Sequence, residues 1–157
     1  MTNFIGEYEC KMDAKGRISF PAALRKQLSP ESAEKFVVNR GIEDCLVLYQ
    51  KPDWEAVTAE INKLNPYVAK NRKFIRRFNN GATPLELDGA GRILLPKALM
   101  GYAGLKKEVV LFAYGNKIEV WDKEKYNAIM GEDAEEFADL AEEVMGKLDE
   151  KSGGDVS

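Results

Sequence analysis

Two motifs pair an aspartate with an arginine four residues later, and the rest of the chain repeats around them. The first runs from Asp13 to Leu24 and the second from Asp88 to Leu99, seventy-five residues further on. Unrelated twelve-residue segments share roughly one identical position, whereas these share seven, so the chain contains an internal duplication. A guanidinium group can hold a phosphate oxygen or the O6 and N7 atoms of guanine, so the repeated arginine points to nucleic-acid recognition. The identical pairs are Asp13/Asp88, Gly16/Gly91, Arg17/Arg92, Ile18/Ile93, Pro21/Pro96, Ala23/Ala98 and Leu24/Leu99.

Each motif has the residue pattern of a tight turn followed by a strand and a helix. An aspartate at the first position of a type I turn accepts backbone N–H groups, and a glycine at the fourth position tolerates a positive φ. Segments 13–16 and 88–91 fit this pattern. Apolar residues then predict short strands at 17–20 and 92–95, and the proline after each strand predicts the first helical position.

The residues outside the motifs predict the other elements of each half. Alternation over 7–12 predicts a strand that forms a hairpin with 17–20 across the first turn. The helical spacing that begins at Trp54 predicts a helix, which Asn65-Pro66 interrupts. Further strands are predicted at 36–39, 46–50, 84–87, 108–113 and 117–121, and further helices from Pro21, at 29–31, from Pro96 and after Asp122.

The composition argues against an enzyme. The 157 residues include no histidine, the commonest general base and metal ligand, and no phosphate-binding glycine loop or nucleophile motif accompanies the repeats. The competing interpretation is an enzyme in which Asp13 and Asp88 form a carboxylate pair for acid–base catalysis or metal binding. There is no apolar run of about eighteen residues and no leader pattern, so we expect a cytoplasmic protein that does not enter a membrane. Since the sequence shows no catalytic or ligand-binding motif, we also expect no cofactor, metal or small-molecule substrate.

The net charge of −3 is distributed unevenly. Residues 131–157 hold ten acidic side chains and two lysines, which leaves 21 of the 23 basic and 16 of the 26 acidic side chains in residues 1–130. Within 67–79 five side chains are basic and none is acidic. This segment is either a solvated face that balances nearby acids or a surface that guides a DNA backbone. Its basic residues are Lys70, Arg72, Lys73, Arg76 and Arg77.

The C-terminal region lies outside the duplicated pattern. Residues 133–149 predict an acidic amphipathic helix, because Phe137, Leu140 and Val144 follow the spacing of one apolar face. Such a helix either caps the core or packs on a neighbouring subunit. The Ser152-Gly153-Gly154 stretch predicts disorder.

The two Asp-x-x-Gly-Arg-Ile-x-x-Pro units at this spacing closely resemble the MraZ family, whose halves are related to SpoVT/AbrB domains. The openings of the halves, Ile5-Gly6-Glu7-Tyr8 and 79–88, are similar to that family as well, and the resemblance covers 4–130. It implies an α+β fold of two pseudo-symmetric halves that form a double-split β-barrel, with flanking helices and an acidic C-terminal helix.

The resemblance also implies a division of the chain and a function. A first SpoVT/AbrB-like repeat spans 5–54, a helical connection with the basic segment 55–82, a second repeat 83–126, and the C-terminal helix and tail 127–157. The family implies a transcriptional regulator at the bacterial nucleoid that acts as a ring-shaped homo-oligomer. The family also implies that this regulator binds direct repeats in the promoter of the division and cell-wall gene cluster that contains its own gene, and we expect it to repress that promoter. The alternative is a protein-binding module like the AbrB-like antitoxins.

The residues of the motifs have two interpretations. In the first, Lys15 and Arg17 contact DNA, with Gly16 keeping the backbone close and Asp13 orienting the guanidinium. The second turn has Ala90 where the first has Lys15, so we expect it to be mainly architectural. In the other interpretation, Asp13 pairs with Arg92 and Asp88 with Arg17 and the pairs lock the halves together. The second-motif residues that are structural or face DNA are Asp88, Gly91 and Arg92.

Overall fold

The computed structural model describes residues 2–131 and 134–156, which divide into two compact units, one ending at Lys123 and one beginning at Glu124. The strands of the first unit are β1 (Phe4–Lys11), β2 (Arg17–Ser19), β3 (Lys35–Arg40), β4 (Leu46–Gln50), β5 (Thr83–Glu86), β6 (Arg92–Leu94), β7 (Glu108–Gly115) and β8 (Lys117–Asp122). Its helices are α1 (Ala22–Arg25), a 3-10 turn (Pro30–Ser32), α2 (Lys51–Ile61), α3 (Ala69–Asn79) and α4 (Lys97–Ala103). The second unit contains α5 (Lys123–Met130), from its second residue, and α6 (Ala134–Val156).

Prolines set where several helices begin. Pro21 and Pro96 have extended backbone angles and immediately precede α1 and α4, so each is the N-cap and not, as predicted, the first helical residue. Pro52 lies inside the first turn of α2, where its missing N–H has no helical partner to lose. The predicted interruption at Asn65-Pro66 is confirmed, because α2 ends at Ile61 and α3 begins at Ala69.

The two halves share one six-stranded antiparallel sheet because they exchange their first strands. The strand order is β1-β7-β8-β4-β3-β5. β1 of the first half therefore pairs with β7 of the second half, and β5 of the second half pairs with β3 of the first. β2 and β6 pair with each other in a separate two-stranded sheet, which we call the ribbon. Each half thus depends on strands from the other for its ladder partners.

The strand register follows the same twofold relation as the sequence repeat. Ile18 lies opposite Ile93 at the centre of the ribbon, and these residues are seventy-five positions apart, as the two motifs are. β4 and β8 pair around Val47 and Glu119, which are seventy-two positions apart. The pseudo-twofold axis therefore relates β2 to β6 and β4 to β8.

One cluster of buried apolar side chains joins the ribbon to the six-stranded sheet. Ile18 and Ile93 point into it, with 0% and 2% of their surface exposed. Full burial of such side chains stabilises the fold by about 1.5–3 kcal/mol each. The cluster therefore fixes the ribbon on the sheet. Its other fully buried members include Leu24 and Leu99 of α1 and α4 and Val38, Leu48, Leu111, Ile118 and Val120 of the sheet.

Three predictions need correction. The hairpin of 7–12 with 17–20 is reduced to a single bridge between Met12 and Ile18, because the ladder partner of β1 is β7. The double-split β-barrel that the resemblance implies does not close within residues 2–131 and 134–156, because β1 and β5 are the outer strands of an open sheet and the ribbon is separate. The helix α6 continues through 152–154, where we expected disorder, because its costly first turn forms upstream, although glycine itself is a poor helix former.

Candidate nucleic-acid interface

The first turn is built around the carboxylate of Asp13. Its Oδ1 accepts hydrogen bonds from the backbone N–H groups of Lys15 and Arg17, both at 2.9 Å, and its Oδ2 accepts one from Nε of Arg17 at 2.7 Å. The N–H of Gly16 closes the turn onto the carbonyl of Asp13 at 3.0 Å. Gly16 has a φ of +89°, which a residue with a side chain rarely adopts. The carboxylate therefore fixes both the turn and the guanidinium that follows it.

The second turn repeats this geometry. Oδ1 of Asp88 accepts hydrogen bonds from the N–H groups of Ala90 and Arg92 at 2.8 and 2.9 Å, and Oδ2 accepts from Nε of Arg92 at 3.0 Å. Gly91 closes the turn at 2.9 Å and has a φ of +75°. The sequence duplication is thus a duplication of the site.

The predicted ion pairs between the two motifs are wrong. Asp13 pairs with Arg17 and Asp88 pairs with Arg92, each within its own turn. The reason is local: two backbone N–H groups hold Oδ1, so Oδ2 already faces the arginine that leaves the turn. The cross-strand contacts between the motifs come instead from the backbone, since the N–H of Leu95 donates to the carbonyl of Gly16 at 3.0 Å.

The ribbon brings the two arginines onto one exposed face. Ile18 and Ile93 occupy its buried face, and the residues on either side of each isoleucine point the other way because strand side chains alternate. Arg17 and Arg92 are diagonal neighbours in the register, roughly 7–8 Å apart and somewhat closer between their Cβ atoms. The outward residues are Arg17, Ser19, Arg92 and Leu94.

The surroundings of the two turns differ in charge. Lys15 is exposed at the tip of the first turn, and its counterpart in the second is Ala90. Near the second turn, Gly91 lies beside the guanidinium of Arg25, which Glu34 holds with hydrogen bonds at 2.8 to 3.1 Å. The first turn therefore has a net positive charge, whereas the second turn and its neighbours are balanced.

The hydrogen bonds in each turn lower the pKa of its aspartate. For Asp13 the largest cause is the backbone N–H of Arg17, and for Asp88 it is the backbone N–H of Arg92. Both carboxylates are therefore ionised at neutral pH and stay ionised to a lower pH than an unperturbed aspartate does. An ionised carboxylate is what holds the arginine Nε in place.

The lowered pKa values predict a loss of stability in acid. A lowered folded-state pKa stabilises the fold above the unfolded-state pKa, and this contribution is lost as pH falls through the folded-state pKa. As the pH is lowered, we expect the free energy of unfolding to fall more steeply for the wild type than for the Asp13→Asn/Asp88→Asn double variant. Urea unfolding between about pH 7 and about pH 3 measures the difference. Parallel curves for the two proteins would contradict the prediction.

A comparison with protein families decides what the repeat is. The family model for MraZ protein matches the chain twice, at residues 3–77 and 78–148. The description of that model adds a suggested likeness to antitoxins. The chain belongs to the MraZ family. The resemblance predicted from the paired motifs is thereby confirmed, as are the two repeated halves of an α+β fold.

Relatives within the MraZ family align over nearly the whole chain. Transcriptional regulator MraZ of Christiangramia forsetii is 48% identical over 150 residues, which are 95% of this chain and 97% of that protein. The Flavobacterium psychrophilum protein of the same name is 44% identical over 98% of this chain and 99% of its own length. That of Cytophaga hutchinsonii is 38% identical over 90% and 94%. The prediction of no enzymatic activity is confirmed, because the family is one of transcriptional regulators and not of enzymes.

The basic segment of this MraZ-family chain lies on α3 and its five basic side chains are exposed. Trp54 of α2 stacks on Phe78 of α3 at 5.7 Å between ring centres, so the helix is attached through its aromatic face. Nη1 of Arg72 donates to the carbonyl of Pro66 at 2.7 Å, which anchors that side chain locally. The other four basic residues have no ion-pair partner within the first unit, residues 2–123. Within the first unit, the α3 surface is thus available to an anion.

Two outward residues of the ribbon, Ser19 and Leu94, were missed by the sequence interpretation. They share the exposed face with the two arginines, Leu94 opposite Arg17 and Ser19 opposite Arg92. The signal was the alternation Arg-Ile-Ser and Arg-Ile-Leu after each turn, which places the first and third residues on one face. Within the described residues no group of His, Cys, Asp or Glu could hold a metal, and none of the helices there is long and apolar enough to span a membrane.

Proposed function

We propose that this chain is a DNA-binding transcriptional regulator that uses its first turn to recognise bases in direct repeats of promoter DNA. The single observation that carries the proposal is the geometry of Arg17. Its Nε is held by Asp13, while Nη1 and Nη2 make no hydrogen bond within the described part of the chain and the side chain is partly exposed. The relatives named as transcriptional regulators support the same class of function.

The free end of Arg17 suits the edge of a guanine. With Nε occupied, Nη1 and Nη2 form a parallel pair of donors that matches the O6 and N7 acceptors in the major groove. Holding the guanidinium before DNA arrives removes part of the side-chain entropy that binding would otherwise cost. A two-stranded ribbon also fits the width of the major groove. Asp13 and Gly16 therefore act by positioning, and Arg17 by contact.

Other basic groups add affinity without sequence readout. Lys15 at the exposed tip supplies a point charge for a phosphate. The α3 surface of Lys70, Arg72, Lys73, Arg76 and Arg77 is proposed to contact the DNA backbone further along the site. For the second turn, the loss of the lysine favours an architectural role for Asp88, Gly91 and Arg92.

We propose that the chain acts as a ring-shaped homo-oligomer. One copy offers few contacts, whereas several copies on regularly spaced repeats raise the effective concentration of each contact. The long helix α6 supports association, because it exposes Phe137, Leu140, Val144 and Met145 by 50 to 67% on one helical face. We propose that it represses the promoter of its own division and cell-wall gene cluster. It would then act in the cytoplasm, at the nucleoid.

The test is fluorescence anisotropy on the DNA upstream of its own gene, across a salt series and beside unrelated DNA. We expect repeat-specific binding that weakens with salt. Lys15→Ala should reduce the slope of log affinity against log salt by about 0.9 for each engaged subunit, since one phosphate contact is lost. The control is Lys63→Ala, because Lys63 is exposed on the surface just beyond α2 and pairs with Glu60 at 3.2 Å.

A second candidate is a protein-binding module like the AbrB-like antitoxins, which the family description favours. Absence of DNA binding at low salt, with the oligomer intact by light scattering, would contradict the regulator and support this alternative. Binding that is equal on upstream and unrelated DNA would contradict base recognition by Arg17.

A further inference from the structure

Leu94 is the one large apolar side chain on the outward face of the ribbon, where 54% of it is exposed. Single exposed leucines are common on protein surfaces, so exposure alone assigns no role. Its position is what matters: Leu94 lies directly opposite Arg17 in the register, whereas the corresponding residue of the first half, Ser19, lies opposite Arg92. An apolar group thus adjoins the guanidinium at the more positive turn.

The backbone hydrogen bonds show how close the two side chains are. The N–H of Leu95 donates to the carbonyl of Gly16, so Gly16 and Leu95 form a hydrogen-bonded pair. Hydrogen-bonded and non-hydrogen-bonded pairs alternate along an antiparallel ladder, so the next pair, Arg17 and Leu94, is of the non-hydrogen-bonded kind. Side chains of such pairs stand together, with Cβ atoms about 4.5–5.5 Å apart. Stacked base pairs are about 3.4 Å apart. Two side chains at this spacing reach neighbouring or next-neighbouring base pairs.

We propose that Leu94 contacts the 5-methyl group of a thymine beside the base that Arg17 binds. Thymine is the base that presents an apolar group in the major groove, and leucine is the matching surface. The exposed amino group of cytosine or adenine would lose its hydration against Leu94 without gaining a partner. Leu94 is therefore a specificity-determining residue, which rests on the proposed function because it requires the ribbon to face the base edges.

The experiment removes the methyl group and nothing else. Anisotropy is measured on upstream DNA duplexes containing thymine and on the same duplexes with deoxyuridine in place of thymine. Wild-type protein should bind the thymine duplex about fourfold more tightly for each contacted methyl, the fold-change that one buried methylene-sized group provides. Leu94→Ala should bind both duplexes equally, with the affinity of the wild type on deoxyuridine. Ser19→Ala, the matched control on the same face, should keep the wild-type ratio.

Each outcome separates this proposal from the function on which it rests. Equal wild-type affinity for the two duplexes, with binding that still depends on Arg17, would overturn the role of Leu94 and leave the regulator intact. A thymine preference that survives in Leu94→Ala would also overturn it, because another residue would be reading the methyl. Absence of binding that depends on Arg17 would contradict both proposals. Circular dichroism and light scattering show that the variants keep the fold and the oligomer.

Discussion

An alanine in place of Arg17 is expected to weaken binding to the upstream DNA by between about fivefold and about 150-fold for each engaged subunit. This range is what one bidentate arginine–guanine contact provides. The fold should change little, because the side chain is partly exposed and the Asp13 carboxylate keeps its two backbone N–H donors. Fluorescence anisotropy measures the affinity, and light scattering checks the oligomer.

The matched control for this prediction is Arg92→Ala. Arg92 makes the same contacts with Asp88 as Arg17 makes with Asp13, so both substitutions remove equivalent interactions within a turn. We expect a smaller loss for Arg92→Ala, since the second turn lacks a lysine. Equal losses would mean that both turns face the DNA alike. If neither variant lost affinity, the contact with DNA would lie elsewhere, and the α3 surface would be the next to test.

The geometry of the turns could be predicted from the sequence because it depends on residues within five positions of each other. Asp13 accepts from the N–H groups two and four residues later, and Gly16 adopts the positive φ that its place in the motif requires. Such local interactions are encoded by residue type and spacing alone. The site's first turn was therefore predictable in position and shape.

The pairing of strands was not predictable from the same information. Alternation indicates that residues 7–12 form a strand, but it does not say which strand pairs with it. β1 pairs with β7 along all eight of its residues, and that long ladder outweighs the local hairpin with β2. The position of Leu94 beside Arg17 depends on the pairing of β2 with β6 from the other half, so it emerged with the fold.

The direction of the arginines needed the structure as well. Both interpretations satisfied the charges, with Asp13 paired either to Arg17 or to Arg92. The two N–H groups that hold Oδ1 of Asp13 decide between them, because they fix the carboxylate toward the arginine of its own turn. Because Asp13 engages only Nε of Arg17, the two outer nitrogens, Nη1 and Nη2, stay available to a ligand.

Ile18→Ala is expected to lower the free energy of unfolding by about 2–5 kcal/mol, the usual cost of such a truncation in a packed core. Ile18 is fully buried and lies opposite Ile93 at the centre of the ribbon, where it attaches the arginine face to the sheet. Urea unfolding measures the loss, at one fixed protomer concentration because association contributes to apparent stability. The control is Ser19→Ala on the exposed face, which should change stability by less than about 0.5 kcal/mol.

The same substitution separates the support of the site from its chemistry. Ile18 does not reach the outward face, so at temperatures where Ile18→Ala remains folded its DNA affinity should stay near that of the wild type, unlike that of Arg17→Ala. The loss of unfolding free energy in the Ile18→Ala/Ile93→Ala double variant should differ from the sum of the losses in the two single variants. The reason is that the two side chains share one set of contacts. Additive losses, or a stable Ile18→Ala protein, would mean that the ribbon is held by its turns and not by the core beneath it.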